Sequence, residues 1–278
     1  MIIQSIHTNS IIKELPTEGH SPLLILGSDY EMYVAKNDKG KQPPFALVNE
    51  FLSSYFFDKW GIASPLVKLI SIADILITSK ESLSKNHRAY FYDTPCFGSK
   101  FVKNSVDVNA LLVTDKKKAY NKLNNPIDVF HITLFDTWVE NDDRKPTNYN
   151  LILEPFNNKF NIVPIDNAFI FSSMSYEDLN PSYGVSVSVN DHLLVSDLGN
   201  LIKRNTIIDV AFINNEREYF YLCIERCEQS FDSYMTQIAV FYTIDTVLVE
   251  NLEVFMAFVS ADGKTVSNSV YLGSGTAA

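Results

Sequence analysis

The chain has 278 residues, of which 46% are hydrophobic and 20% charged, so it can form one large globular domain or two lobes that share a cleft. A net charge of −10 argues against direct binding of nucleic acid or of an anionic membrane surface. The sequence has neither the apolar run of a membrane span nor the start of a signal peptide, and its three cysteines lack metal-ligand spacing. We therefore expect a cytoplasmic protein without a zinc site.

The first hundred residues are predicted to be rich in β-strands, with one helix. Strands are expected where apolar and polar residues alternate between turn-forming residues, at 10–15, 22–26, 31–36, 66–72 and, as one or two strands, within 88–102. Between them, apolar residues recur at helical spacing from Phe45 to Trp60, and Gly61 is expected to end that helix.

Two residues of this region can act together. Lys36 ends a predicted strand and Glu50 lies in the middle of the predicted helix. A lysine near a strand end is most often a solvated edge residue, whereas a lysine that holds the phosphates of ATP needs a carboxylate partner from a helix. We predict an ion pair between Lys36 and Glu50.

A turn-rich loop lies between the first two predicted strands and contains Gly19, His20 and Ser21. Its backbone amides could approach phosphate oxygens, although a plain hairpin turn explains the same residues equally well. In the first case, Ser21 would lie beside the phosphates and would be a candidate for self-phosphorylation.

From about residue 107 the pattern becomes mainly helical. Helices are expected at 115–123, 126–139, 190–203, 216–231 and 244–259, with a β-hairpin at 149–165. This change places a domain boundary between residues 1–103 and residues 104–278.

The loop before the hairpin carries the residues most typical of phosphoryl transfer. Asp143 is followed by Asn148 five residues later, and Asp166 ends the apolar strand of the hairpin. Such a set supplies a carboxylate for the substrate hydroxyl and oxygen ligands for Mg²⁺. A second pair with the same spacing, Asp136 and Asn141, begins inside the predicted helix, so Asp143 is the better candidate for the catalytic base. A capping role is the alternative for Asp166.

These segments resemble the HipA-like kinase family, in its compact branch. The matching segments, in chain order, are GHSPLLILGSDYEMYVAKN, LVNEFLSSYFFDKWGIASP, FGSKF, FDTWVENDDRKPTNYNLIL and NIVPIDNAF. The resemblance implies an α+β, two-lobed protein-kinase-like fold, with a small β-rich N-terminal lobe and a larger, mostly helical C-terminal lobe. It also implies that Mg-ATP is used to phosphorylate serine or threonine.

The resemblance further implies a role for individual residues. Asp143 matches the catalytic base, and Asn148 and Asp166 match the magnesium ligands. Lys36 matches the phosphate-binding lysine with Glu50 as its partner, while Phe101 and Val102 match the hinge that contacts adenine.

The chain departs from the family pattern at two places. Relatives often have His-Gly where this chain has Asn167 and Ala168. Arg144 also differs from the residue that the longer members of the family have at its position. From sequence, Arg144 could contact a phosphate or pair with Glu140 at the surface.

The function predicted on this basis is that of an ATP-dependent protein serine/threonine kinase acting on an unidentified protein. Two alternatives remain. An aminoglycoside- or choline-type phosphotransferase would share the Asp, Asn and Asp residues, and further carboxylates near Asp142 would favour it. A non-catalytic kinase-like binding module is less favoured because every expected ligand is present.

Overall fold

A computed structural model describes residues 2–15, 21–39, 42–112, 116–173, 175–176 and 192–242, together with two short strands at 258–259 and 266–267. The architecture is mixed α+β, with a β-rich N-terminal part followed by helices and a small sheet. Within the described residues, no helix is long and apolar enough to cross a membrane.

Five strands close into a barrel in the order β1-β2-β3-β5-β4. Within the barrel, β1 and β4 pair in parallel, and the other pairs are antiparallel. The strands are β1 (Gln4–Glu14), β2 (Leu23–Gly27), β3 (Met32–Lys36), β4 (Val67–Ser71) and β5 (Cys96–Lys100). Pairing of Lys36 with Phe97 fixes the end of β3 against β5, so Lys36 lies at the rim of the barrel.

Helix α1 (Ala46–Trp60) is buried on nearly all sides, because it packs against β5 on one side and against later helices on the other. This explains why its sequence is apolar all round. It ends as expected at Gly61, which adopts a left-handed conformation with φ of 66° and donates its amide to the carbonyl of Asp58. Glu50 is therefore carried by a helix that cannot easily move.

The region between β4 and β5 differs from the sequence prediction. Helix α2 (Asp74–Thr78) was not foreseen. Within 88–102, where one or two strands were expected, there is one strand, β5, and the run Ala89–Tyr92 forms a 3₁₀ turn. Aromatic residues are enriched in strands, but that preference depends on how their side chains pack. Here the side chain of Tyr92 is buried in the barrel core, and this tertiary contact decides the local structure.

A three-stranded sheet follows, in the order β6-β7-β8. It consists of β6 (Val106–Asp107), β7 (Leu151–Phe156) and β8 (Lys159–Pro164). The predicted hairpin is confirmed, and it turns at Asn157 and Asn158, whose φ angles of 45° and 64° suit the twist of a tight hairpin.

The helices after the barrel match the predictions in part. Helix α3 (Val108–Leu112) is additional, whereas α4 (Lys116–Lys122) and α5 (Asp128–Trp138) confirm the helices expected there. The last described helices are α6 (Asp197–Asn205), α7 (Val210–Glu228) and α8 (Phe231–Tyr242).

Helix α6 begins later than predicted, α7 begins earlier, and α8 was missed. The helix expected at 244–259 lies outside the described residues, except that 258–259 form strand β9 (Phe258–Val259), paired with β10 (Val266–Ser267).

Candidate active site

A cavity of about 850 Å³ lies between the barrel, helix α1 and the β7–β8 hairpin. Most of the residues predicted from sequence to form the site line it: Lys36, Glu50, Phe101, Val102, Asp143, Asn148 and Asp166. Gly19 and His20 lie outside the described residues. Ser21 is half-buried and precedes Pro22, which lines the cavity.

Lys36 is held between two carboxylates. Its Nζ forms an ion pair with Glu50, which confirms the predicted pair, and a second one with Asp166 at 2.8 Å. Burial lowers the pKa of Lys36, but the charges of Glu50 and Asp166 outweigh burial, and the pKa lies above its ordinary value. The cavity therefore contains a fixed positive charge.

The carboxylate of Asp143 is oriented by two asparagines. Oδ1 accepts a hydrogen bond from Nδ2 of Asn148 at 3.1 Å, and Oδ2 accepts one from Nδ2 of Asn150 at 2.6 Å. Sequence reasoning found Asn148 but missed Asn150. The only available signal was its position two residues after Asn148, immediately before β7.

Asp166 follows strand β8 in a left-handed conformation, with φ of 56°. This conformation is unusual for a residue other than glycine and occurs most often at turns and functional sites. The preceding residue is fixed by a hydrogen bond from the amide of Ile165 to the carbonyl of Asn150, at 2.9 Å. The side chain of Asp166 is half-exposed at the cavity and reaches Lys36.

Arg144 occupies neither of the positions considered from sequence. It is 1% exposed, and its guanidinium forms an ion pair with Asp136 of helix α5. It also donates to Oδ1 of Asn167 at 2.5 Å and to the carbonyl of Ile165 at 3.3 Å. The one sequence signal for this contact was a carboxylate inside an apolar helix.

The buried carboxylate of Asp136 has an altered acidity. Burial raises its pKa to about 6, although Arg144 and Asn141 act in the opposite direction. Asn141 donates to Oδ1 of Asp136 at 3.0 Å, so the second Asp–Asn pair of the sequence forms a buried contact away from the cavity.

The residues at the cavity fit a magnesium ion. The amide nitrogen of Asn148 is engaged with Asp143, so its oxygen is the atom that can bind a metal, and Asp166 offers a carboxylate. In the described part of the chain, no cluster of three or more His, Cys, Asp or Glu residues could hold a metal. Mg²⁺ needs no such cluster, because one or two protein oxygens suffice when phosphate and water complete its shell.

The other end of the cavity is more apolar. Val34 and Val67 of the barrel and Ile152 of β7 line it together with Phe101 and Val102. The amide of Phe101 donates to the carbonyl of Met32 at 2.8 Å, which ties the segment after β5 to the start of β3. An apolar space of this kind is suited to a flat heteroaromatic ring.

Comparison with known proteins identifies the family of the chain. Residues 9–185 match the sequence model of the HipA-like kinase family, which is more than half of the chain. The chain belongs to the HipA-like kinase family.

A search of curated proteins gave no match. Among solved structures, a Helicobacter pylori proinflammatory kinase, CtkA, is similar at 12% identity with a TM-score of 0.43. That comparison covers 86% of this chain and 99% of the other. Family membership supports a kinase, and therefore a phosphotransferase activity.

Proposed function

We propose that this HipA-like kinase is a protein serine/threonine kinase that uses ATP and Mg²⁺. Its two lobes would be residues 1–103 and 104–278, with ATP bound between them. One observation carries the proposal: the Lys36–Glu50 ion pair and the Asp143–Asn148 pair line the same cavity. Phosphoryl transfer requires a held phosphate and a positioned base at one place.

ATP would bind with its base in the apolar end of the cavity, against Phe101 and Val102. Lys36 would contact the α- and β-phosphates, and the loop with Gly19, His20 and Ser21 would cover them. Asn148 and Asp166 would hold Mg²⁺, which supplies positive charge to the phosphate oxygens. This arrangement leaves Asp143 for the substrate.

In the reaction, the oxygen of a substrate hydroxyl forms a bond to the γ-phosphorus, and the bond from that phosphorus to the β–γ bridging oxygen breaks, releasing ADP. Asp143 accepts the hydroxyl proton. The hydrogen bonds from Asn148 and Asn150 orient its carboxylate before the substrate arrives, which lowers the cost of reaching the reactive geometry.

The carboxylates of the cavity favour a protein substrate over a small cationic one. Within the described lining, they are Glu50, Asp143 and Asp166. All three belong to the set proposed for ATP, Mg²⁺ and the base, so the described lining has no further carboxylate with which to bind an aminoglycoside or a choline-like molecule.

The decisive experiment compares the wild type with Asp143→Asn, incubating each with Mg-ATP labelled on the γ-phosphate and a generic protein substrate. Asp143→Asn should bind ATP normally but transfer phosphate at least about 100-fold more slowly, because it keeps the shape and removes the base. Asp142→Asn is the matched control and should keep its transfer rate. Transfer by Asp143→Asn at the wild-type rate would contradict the proposed mechanism.

A further inference from the structure

The guanidinium of Arg144 joins three parts of the chain, two of which continue into the lining of the cavity. It binds Asp136 in helix α5, the carbonyl of Ile165 after strand β8, and the side chain of Asn167. Arg144 directly follows Asp143, and Asn167 directly follows Asp166. One buried side chain therefore connects the loop of the base to the segment of the metal ligand.

The connection continues beyond Asn167. Its backbone amide donates to Oε2 of Glu50 at 3.1 Å, while Oε1 of Glu50 contacts Lys36. Asn167 is thus bonded on both sides, with its side chain to Arg144 and its amide to Glu50. Protein hydrogen bonds and ion pairs run without a gap from Asp136 to Lys36.

Burying these charged groups costs free energy, and stability alone does not explain why they are buried. Within the described residues, Nε of Arg144 and Oδ2 of Asp136 are buried without a hydrogen-bond partner. Apolar side chains of similar size are often at least as stabilising as a buried ion pair. The planar fork of arginine does, however, fix the relative positions of several acceptors, which an apolar side chain cannot do.

We infer that Arg144 and Asn167 are positioning residues that hold Asp143 in register with the Lys36–Glu50 pair. The inference rests on the proposed function, because it assigns these residues to phosphoryl transfer. Neither side chain needs to touch ATP. Their effect is to prevent the loop of Asp143 and helix α1 from shifting independently, since a small displacement of a base costs far more in rate than in binding.

The kinetic test uses substitutions at Asn167. Asn167→Leu has a similar shape but no acceptor for Arg144, and it should lower kcat by about 10- to 100-fold with little change in KM for ATP. Asn167→Asp keeps an acceptor oxygen and should retain a kcat well above that of Asn167→Leu. Tyr234→Phe is the control, since it removes a different buried hydrogen bond, to the carbonyl of Phe51, and should keep kcat. Equal kcat for Asn167→Leu and wild type, or equal loss in Tyr234→Phe, would overturn the inference.

A second measurement does not depend on activity. In the loop of Asp143, the amides of Lys145 and Asn148 each donate to the other residue's carbonyl. Hydrogen exchange at these two amides should become faster in Asn167→Leu but not in Tyr234→Phe, because only the former releases Arg144.

The two measurements separate the two proposals. A wild-type protein that transfers no phosphate contradicts the proposed function, and the exchange data then decide the link between Asn167 and the loop. Unchanged exchange at Lys145 and Asn148 in Asn167→Leu overturns that link whether or not the protein is active.

Discussion

Lys36 forms both of the ion pairs described at the cavity. Its ammonium neutralises Glu50, which is 3% exposed, and also contacts the half-exposed Asp166. Arrival of a phosphate would give Lys36 a new partner at the cavity, while Glu50 would remain its buried one. The same residue would thus contribute to ligand binding and to the stability of the protein without ligand.

Replacement of this lysine should separate the two contributions. Lys36→Met should weaken Mg-ATP binding at least about 10-fold and lower the free energy of unfolding by about 1–3 kcal/mol, because Glu50 loses its buried countercharge. Calorimetric titration with Mg-ATP and urea unfolding measure the two effects. Lys68→Met is the matched control: Lys68 pairs with Asp29 outside the cavity, and its loss should leave ATP binding intact. Equal ATP affinity in Lys36→Met and wild type would refute the role of Lys36.

Asp136 should make stability depend on pH in a particular direction. Its pKa is raised to about 6 in the folded protein, above its value in the unfolded chain, so folding favours the protonated form. The resulting stabilisation is present below about pH 4 and is lost as the pH rises through about 6.

Urea unfolding between pH 4 and pH 7 tests this direction with Asp136→Asn as the reference. The stability of wild type relative to Asp136→Asn should fall over this window, by no more than about 1.4 kcal/mol per pH unit for one proton. A relative stability that rises with pH would show that Arg144 lowers the pKa more than burial raises it.

Strand β5 lies between β3 and β4 in the barrel and has little room for added volume at Gly98. A Cβ on Gly98 would lie 2.0 Å from Cδ1 of Ile70 and 3.2 Å from the carbonyl of Lys68. Ile70 is fully buried and cannot swing into solvent. The glycine therefore permits the close approach of two strands.

Gly98→Ala should accordingly lower the free energy of unfolding by about 1–3 kcal/mol through overpacking. Gly61→Ala provides the comparison, because its Cβ would meet no atom within 4 Å and only the left-handed backbone is strained. That strain costs about 1 kcal/mol. Urea unfolding of both variants measures the difference, and a smaller loss at Gly98 than at Gly61 would show that the barrel core adapts.

Elements with a clear local pattern were predictable from sequence. Helix α1 has an apolar sequence and a glycine stop, and the hairpin has two asparagines at its turn. The start of α7 was missed because the run from Val210 to Asn215 has weak helix propensity, although Asp209 caps it by accepting from the amide of Phe212 at 2.8 Å.

The candidate site likewise contains residues that could be identified from sequence and residues that could not. Lys36, Glu50, Asp143, Asn148 and Asp166 could be proposed because their residue types and order are typical of kinases. The contact between Arg144 and Asp136 could not, because it depends on how helix α5 packs beneath the loop. Asn150 was missed for the same reason, since its partner is defined only once the loop is folded.

At the scale of the whole molecule, the cavity joins the barrel to the hairpin, so a ligand bound there should stabilise both together. At a concentration 100 times its Kd, Mg-ATP should add about 2.7 kcal/mol to the free energy of unfolding. Asp166→Asn should lose the part of this gain that depends on Mg²⁺, because a neutral amide compensates the metal charge poorly. Thermal unfolding with ATP, in the presence of Mg²⁺ or of a chelator, measures the Mg-dependent part of this gain. A difference between the two conditions that is as large in Asp166→Asn as in the wild type would contradict a metal role for Asp166.

Closure of the barrel restricts how a partner protein can be recruited. Every strand of the ring pairs with two neighbours, and β1 divides its length between them, with β4 at residues 4–7 and with β2 at residues 8–14, so the ring offers little backbone edge to an incoming peptide. Of the two outer strands of the small sheet, β6 has only two residues, and β8 is partly covered, since the amide of Asn124 bonds to the carbonyl of Phe160. A substrate chain should therefore be selected through the shape and charge of its side chains rather than by extending a sheet. A screen for substrates should vary short sequence motifs and not strand-forming segments.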